Sequence, residues 1–366
     1  MSKQDETSGV SNAMHTYRPS FFRTQYTEDR VKLESLRSGG GMVFESDEIK
    51  RQLKELVRCR YPSGQLSEVE YDFHIHELLA GRSMTEYGVW VYYPWRKTLV
   101  HLLDEAEFIE VRTNRNQYKI TQAERDTLAT KKLGIVGLSV GQSIALTIAM
   151  ERICGELRLA DFDELDLSNL NRIRSGVFNL SVPKVIIAAR EIAEIDPYLE
   201  VSIFPSGLNT TNYTSFFTDG GQLDLLIEVC DSFEVKIESR FKARELGIPV
   251  VMDTNDRGML DIERFDLNPD RPILHGLADD LTPEKLRELS EIERLKYLMK
   301  IVDADKLSER MKRSIPEIKR TISSWPQLAS AVVLGGAITT DVCRRILLNE
   351  FTSSGRYYMD MEQYIA

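Results

Sequence analysis

The chain reads as an α/β protein built on a Rossmann-like, mostly parallel, doubly wound sheet, and three observations predict it. Short runs rich in β-branched residues ("KLGIVGLSV", "ELRLADFD", "LDLLIEVCD", "IPVVMDTN") recur between about Leu133 and His275. Segments of helical periodicity lie between them, and the runs end in glycine or polar residues. Such alternation requires right-handed βαβ crossovers and a parallel sheet covered on both faces.

Three regions follow, with no internal repeat. Residues 1–110 form an N-terminal extension and a small α/β appendage, residues 111–275 the central α/β domain, and residues 276–366 a helical C-terminal region packing on the core. Positions 1 to about 45 start polar and reach "SGGGM" at Ser38–Met42, which predicts a flexible lead-in. The appendage then shows a helix in DEIKRQLKELVRCR, a turn at Tyr61-Pro62-Ser63-Gly64, a strand in YGVWVYYPW and a helix in TLVHLLDEAE.

In the central region SIALTIAMERI has helical spacing, and VPKVIIAAREIAEIDP is a helix stopped by Asp196-Pro197 before the strand EVSIF. LDLLIEVCD reads as a fully apolar strand ending in polar residues, and EVKIESRFKARELG as an amphipathic helix ended by Gly247. DRGMLDIERFD alternates as two short strands, with Arg257 a speculative carboxylate contact. The charged stretch from Leu281 to about Arg320 is helical, a solvated face or lid. SWPQLASAVVLGGAITTDVCRRILL is an apolar helix with Trp325-Pro326 as its start signal. Its small residues Ala329, Ala331, Gly335, Gly336 and Ala337 suit a core or dimer interface.

Composition narrows the function classes. With 366 residues, 42% hydrophobic and 28% charged, the chain is long enough to bury a substantial core. A formal net charge of -10 argues against a dedicated nucleic-acid binder, because phosphate affinity comes from clustered lysine and arginine. No apolar run approaches the roughly 20 residues of a membrane span, and residues 1–20 lack a signal-peptide core, so a cytoplasmic location is expected. Cys59, Cys154, Cys230 and Cys343 are far apart and form no CxxC pair, which fits reduced thiols and neither a disulfide framework nor a zinc knuckle.

In parallel sheets the ligand sits at the carboxyl ends of the strands. The first strand leads into Gly137, Leu138, Ser139, Val140 and Gly141, a tight turn whose amides and following helix N-terminus suit an anion. Asp161 ends the second strand 24 residues after Gly137, near the offset at which a Rossmann-type acid takes a ribose hydroxyl. Ser139 and Gln142 occupy the second and third positions of the G-x-G-x-x-G pattern, so a plain strand-to-helix turn stays open for the loop alone.

After Asp161 come Asp163, Asn169 and Arg172 in "DFDELDLSNLNR", then Pro183-Lys184 opening a helix, then Asp231 at a later strand end. Several positive groups with a carboxylate for a metal suit nucleotide transfer better than the sheltering of a nicotinamide. The alternative is that Asp166 and Ser168 cap a short helix while Arg172 pairs with Glu164 or Asp166 at the surface. FHIHE (Phe73–Glu77) places His74 and His76 on one strand face beside Glu77, three polar residues without distant partners and a weak metal candidate. His275 reads as structural, with substrate contact the other option.

Gly137-Leu138-Ser139-Val140-Gly141, Asp161-Phe162-Asp163, Ser168-Asn169-Leu170-Asn171-Arg172, Pro183-Lys184 and Cys230-Asp231-Ser232 resemble the successive motifs of the ThiF/MoeB adenylyltransferases, bacterial relatives of the ubiquitin-activating enzymes. The resemblance covers about residues 110–275, and "DFD...SNLNR" is its most specific part. It implies a dimerising dinucleotide-type α/β domain that binds ATP and magnesium. It also implies transfer of AMP to a carboxylate, usually the C-terminus of a small ubiquitin-like protein or a peptide, with release of pyrophosphate; modified tRNA is the least favoured acceptor.

Carried over by position, the resemblance gives Asp161 to the ribose, with Asp163 beside it, and the amides of Gly137, Ser139 and Gly141 to the phosphates. Asn169, Arg172 and Lys184 would contact the triphosphate, and Asp231 would hold the magnesium ion. Arg115 in "RTNRNQ", with Arg112 as second choice, would reach the triphosphate from a partner subunit.

Two departures stand out: serine at 139 where the family has glycine, and Ser232 where asparagine usually follows the metal-binding aspartate. No cysteine lies between Asp231 and Thr340, which argues against a thioester or persulfide step; Cys230 and Cys343 read as small buried hydrophobes. An NAD-dependent oxidoreductase on the same fold and a non-catalytic nucleotide-binding scaffold are the rival readings.

Overall fold

The computed structural model describes residues 15–365, so the first part of the expected polar lead-in, residues 1–14, lies outside the described residues. Two compact units are present. The first comprises the described residues up to Gln122 together with Asp196–Tyr198; the second comprises Ala123–Ile195 and the residues from Leu199 onward.

The first unit holds strands β1 (Ser20–Phe22), β2 (Phe44–Asp47), β3 (Val89–Tyr93) and β4 (Thr98–Leu102) in the order β1-β3-β4-β2. Its longer helices are α1 (Thr27–Ser38), α2 (Ile49–Arg60), α3 (Glu68–Leu79) and α4 (Glu105–Arg112). Three expectations are corrected. Residues 15–45 carry β1 and α1, whose Leu33 is buried with Trp90 and Leu99, so the lead-in is structured where it is described. TLVHL is strand β4, paired antiparallel with β3, because its alternation buries Leu99 and His101 on one face; the helix begins only at Glu105.

FHIHE lies on α3, started by a capping box between Ser67 and Glu70. Two residues apart on a helix, His74 and His76 point in different directions, and His74 pairs instead with Glu77 at 3.1 Å.

The second unit contains β5 (Lys132–Val136), β6 (Glu156–Ala160), β7 (Glu200–Phe204), β8 (Leu225–Glu228), β9 (Val250–Thr254), β10 (Met259–Glu263) and β11 (Gly355–Tyr358). Their order is β11-β10-β9-β8-β5-β6-β7. The five strands from β9 to β7 run parallel, and β10 and β11 add antiparallel at one edge. The expected Rossmann-like, doubly wound α/β fold is therefore present. DRGMLDIERFD supplies one strand, β10, after a turn, and the C-terminal region adds a strand, β11, to its helices.

Helices α5 (Gly141–Glu151), α6 (Lys184–Ile195) and α7 (Phe233–Glu245) make the crossovers, and α8 (Ala329–Leu347) packs on α5. Apolar strands account for the burial: every residue of β6 and β8 is buried. On α8 the small residues serve packing within this chain, since a Cβ at Gly336 would lie 2.6 Å from Ser143 Oγ. From β5 the chain winds outward through β6 to β7, then returns to β8 on the other side of β5. That reversal puts the topological switch point between β5 and β8, where a parallel sheet opens a crevice. Among the described residues no helix is long and apolar enough to cross a membrane.

Candidate functional site

Gly137 follows β5 with φ 89° and donates its N–H to Ala160 O at 2.9 Å. A Cβ there would lie 2.8 Å from the backbone N and Cα of Cys230, so only glycine lets the ends of β5 and β8 approach this closely. The next amide, Leu138 N, donates to Asp161 Oδ2 at 2.5 Å, and Asp163 N donates to Asp161 Oδ1 at 2.8 Å. Asp161 thereby ties the glycine turn to the end of β6. Burial pushes its carboxyl above the usual range, against the opposing pull of those two amides and of Lys184.

Lys184 opens α6 and is 7% exposed, with Nζ 2.7 Å from Asp163 Oδ2. Asn169 is buried on the turn Leu167–Asn171, where its Oδ1 accepts from Asp166 N at 3.1 Å. Arg172 pairs with neither Glu164 nor Asp166. Its Nε donates to Ser139 Oγ at 2.9 Å and its Nη1 to Asn171 Oδ1 at 2.8 Å. Burial lowers its guanidinium pKa, with the Asp231 charge acting in the opposite sense. Asp231 itself is exposed beyond the end of β8.

These loops converge. Gly137, Ser139, Asp161, Asp163, Asn169, Arg172, Lys184 and Asp231 line one cavity of about 320 Å³ at the switch point. Gly141 does not line it; as the first residue of α5 it is buried close to Ile135, where a Cβ would come within 2.9 Å of Ile135 Cγ2. Arg115 belongs to the first unit and is exposed on the turn Asn114–Asn116, while Arg112 is bound to the buried Asp196 at 3.0 Å. Among the described residues no three His, Cys, Asp or Glu side chains gather as a metal cluster. A magnesium ion on a nucleotide needs only one or two protein carboxylates, since phosphates and water complete its shell, so Asp231 fits that need.

The ThiF family profile matches residues 112–351. The chain belongs to the ThiF family. It is 45% identical over 272 residues to the uncharacterized protein MT1398 of Mycobacterium tuberculosis, covering 74% of this chain and 38% of that protein. It is 27% identical over 156 residues to the tRNA threonylcarbamoyladenosine dehydratase of Bacillus subtilis, covering 42% of this chain and 60% of that protein. The matches thus span less than two thirds of either relative. The structure of E. coli tRNA N6-threonylcarbamoyladenosine dehydratase, TcdA, aligns with a TM-score of 0.47 at 16% identity, over 68% of this chain and 98% of that one.

Within this ThiF-family chain both serine departures have a structural use. Ser139 accepts from Arg172, and Ser232 caps α7 by accepting from Val235 N at 3.4 Å. Cys230 is half-buried on the cavity wall, and desolvation pushes its thiol pKa up, consistent with an inert side chain. His275 Nε2 lies 2.9 Å from Asp261 Oδ1, and Arg257 is ion-paired with Asp360 at 2.6 Å, so both side chains have structural partners.

Sequence reasoning missed the charges beneath the site. Glu228, inside the supposedly all-apolar β8, is fully buried with Lys236 Nζ at 2.9 Å and Arg240 Nη1 at 2.6 Å, and Arg240 Nε reaches Glu263 at 2.6 Å. The helix read as amphipathic therefore turns two cations into the core. Burial alone would raise the Glu228 carboxyl; Lys236 and Arg240 hold it down at about 2. Glu228 Oε1 also accepts from Cys230 N at 3.0 Å, so the network anchors the loop that carries Asp231. The signal available was a glutamate inside an apolar strand with cations 8 and 12 residues later.

Proposed function

We propose that the protein is an ATP-dependent adenylyltransferase of the ubiquitin-like-modifier-activating type. It would activate a carboxylate, the C-terminus of a small ubiquitin-like protein or a peptide, as an acyl-adenylate. The observation that carries this reading is the convergence of Asp161, Asn169, Arg172, Lys184 and Asp231, from separate loops, on the single cavity at the switch point.

In the reaction the substrate carboxylate oxygen attacks the α-phosphorus, a P–O bond forms, and the bond to pyrophosphate breaks. Arg172 and Lys184 offset the negative charge on the phosphoryl oxygens, and Asn169 offers its amide N–H to them; one such preorganised contact contributes about 3 kcal/mol. The backbone of the Gly137 turn admits phosphate closely, and Asp161 receives the ribose hydroxyls on lone pairs that its amide donors leave free. Asp231 would hold a magnesium ion, which would supply positive charge against the phosphates.

The reading includes a homodimer in which Arg115 of a second copy reaches the triphosphate. Arg115 is exposed, whereas the alternative, Arg112, is engaged with Asp196. Calorimetric titration with ATP and magnesium, with NAD as the comparison, is the first test, followed by pyrophosphate exchange with peptides encoded beside the protein. Binding of ATP over NAD and carboxylate-dependent exchange are the expected results; preference for NAD would overturn the reading.

A further inference from the structure

A second cavity, of about 330 Å³, adjoins the first and shares Val229, Cys230 and Asp231 with it. Its walls are apolar: Leu295, Leu298, Ile301 and Leu307 come from the charged helical stretch, and Trp325 comes from the segment before α8. Asp253, at the end of β9, also lines it and is only 5% exposed. Neither oxygen of its carboxylate has a hydrogen-bond partner among the described residues. A Cβ on Gly335 of α8 would overlap that carboxylate, so α8 carries glycine where the acid needs room.

Two further acceptors on the same cavity, Asn255 Oδ1 and Gln327 Oε1, are likewise buried and unpartnered. The one cation on the wall, Lys236, is already bound to Glu228 at 2.9 Å. An unpartnered buried carboxylate is costly, and burial pushes the Asp253 carboxyl up to about 7. Among the described residues the buried, unpartnered side-chain atoms of this lining are all acceptors, and set in apolar walls they are complementary to a ligand that brings donors on an apolar stem.

We infer that this second cavity holds the body of the carboxylate substrate, and that Asp253 selects a substrate whose apolar chain ends in a primary ammonium group. The inference rests on the adenylation reading for the word substrate, because the shared Asp231 edge would bring the activated carboxylate beside the nucleotide. Asp253 is here a specificity-determining residue and takes no part in bond making.

The test uses n-hexylammonium chloride and n-hexanol as matched probes of the full chain at pH 8, where Asp253 is ionised and the amine protonated. Calorimetric titration should give about tenfold or greater preference for the ammonium, the range of a charge-assisted hydrogen bond. Asp253→Asn, nearly isosteric and free of the buried charge, should still melt in one cooperative transition, at a temperature no lower than that of the parent, and lose that preference. Equal affinity for the two probes, or a preference that survives Asp253→Asn, would overturn the inference. A parallel titration with ATP and magnesium separates the two readings. ATP binding without ammonium preference defeats the Asp253 inference alone. Asp253-dependent ammonium binding without ATP binding defeats the adenylation reading, and with it the claim that the ammonium compound is a substrate.

Discussion

Arg172 donates its Nε–H to the Ser139 hydroxyl at 2.9 Å, which joins the loop after β6 to the turn after β5 across the mouth of the cavity. The serine that departs from the glycine pattern thus aims the guanidinium. Its removal should act on nucleotide affinity more than on folding. Ser139→Ala is expected to raise the KM for ATP about three- to tenfold, the net value of one ordinary hydrogen bond, with little change in melting temperature. Steady-state pyrophosphate exchange at varied ATP would check this.

Asp231 is exposed at its strand end and shares the cavity with Arg172 and Lys184. Asp231→Asn should therefore lower adenylation by at least about 100-fold while leaving stability within about 0.5 kcal/mol, as for an ordinary surface change. Full activity in the variant would remove this residue from the proposed magnesium site.

Arg240 is fully buried between Glu228 and Glu263. Arg240→Met would leave Lys236 to serve Glu228 and leave Glu263 without an ion-pair partner. Urea unfolding should show a loss of about 3–5 kcal/mol, the penalty for breaking one partner out of a buried ionic network. Loss of activity would follow from loosening of the loop at Cys230 and Asp231.

Asp253 makes a pH prediction whose sign is fixed by its direction of shift. The folded-state carboxyl titrates at about 7, above its unfolded value near 3.8, so the folded protein retains a proton that the unfolded chain has lost. Its contribution to stability is then present below pH 4 and falls as pH rises from about 4 to 7. Asp253→Asn should stabilise the protein at pH 8, by an upper limit of about 4 kcal/mol, and by progressively less toward pH 5. Thermal melts of both proteins across that range would measure the difference.

The fold and the convergence of the switch-point loops on one cavity were legible because their signals are local. A period of two or of 3.6 residues, a glycine turn and a strand-end aspartate are all written within a dozen neighbouring positions. Where the local signal was ambiguous, pairing decided. TLVHL becomes β4 because β3 offers it a ladder, and FHIHE becomes helical because Ser67 and Glu70 cap the segment before it.

By itself the amino-acid sequence determined the alternation of strands and helices, the switch-point loops and the set of polar residues they carry. Tertiary structure alone decided which charges are buried and with whom. Glu228 meets Glu263 through Arg240, and Asp253 lies against Gly335 some eighty positions later in the chain. The physical reason is that desolvation and ion pairing depend on every atom within a few ångströms, and the chain path that brings those atoms together is a property of the whole fold.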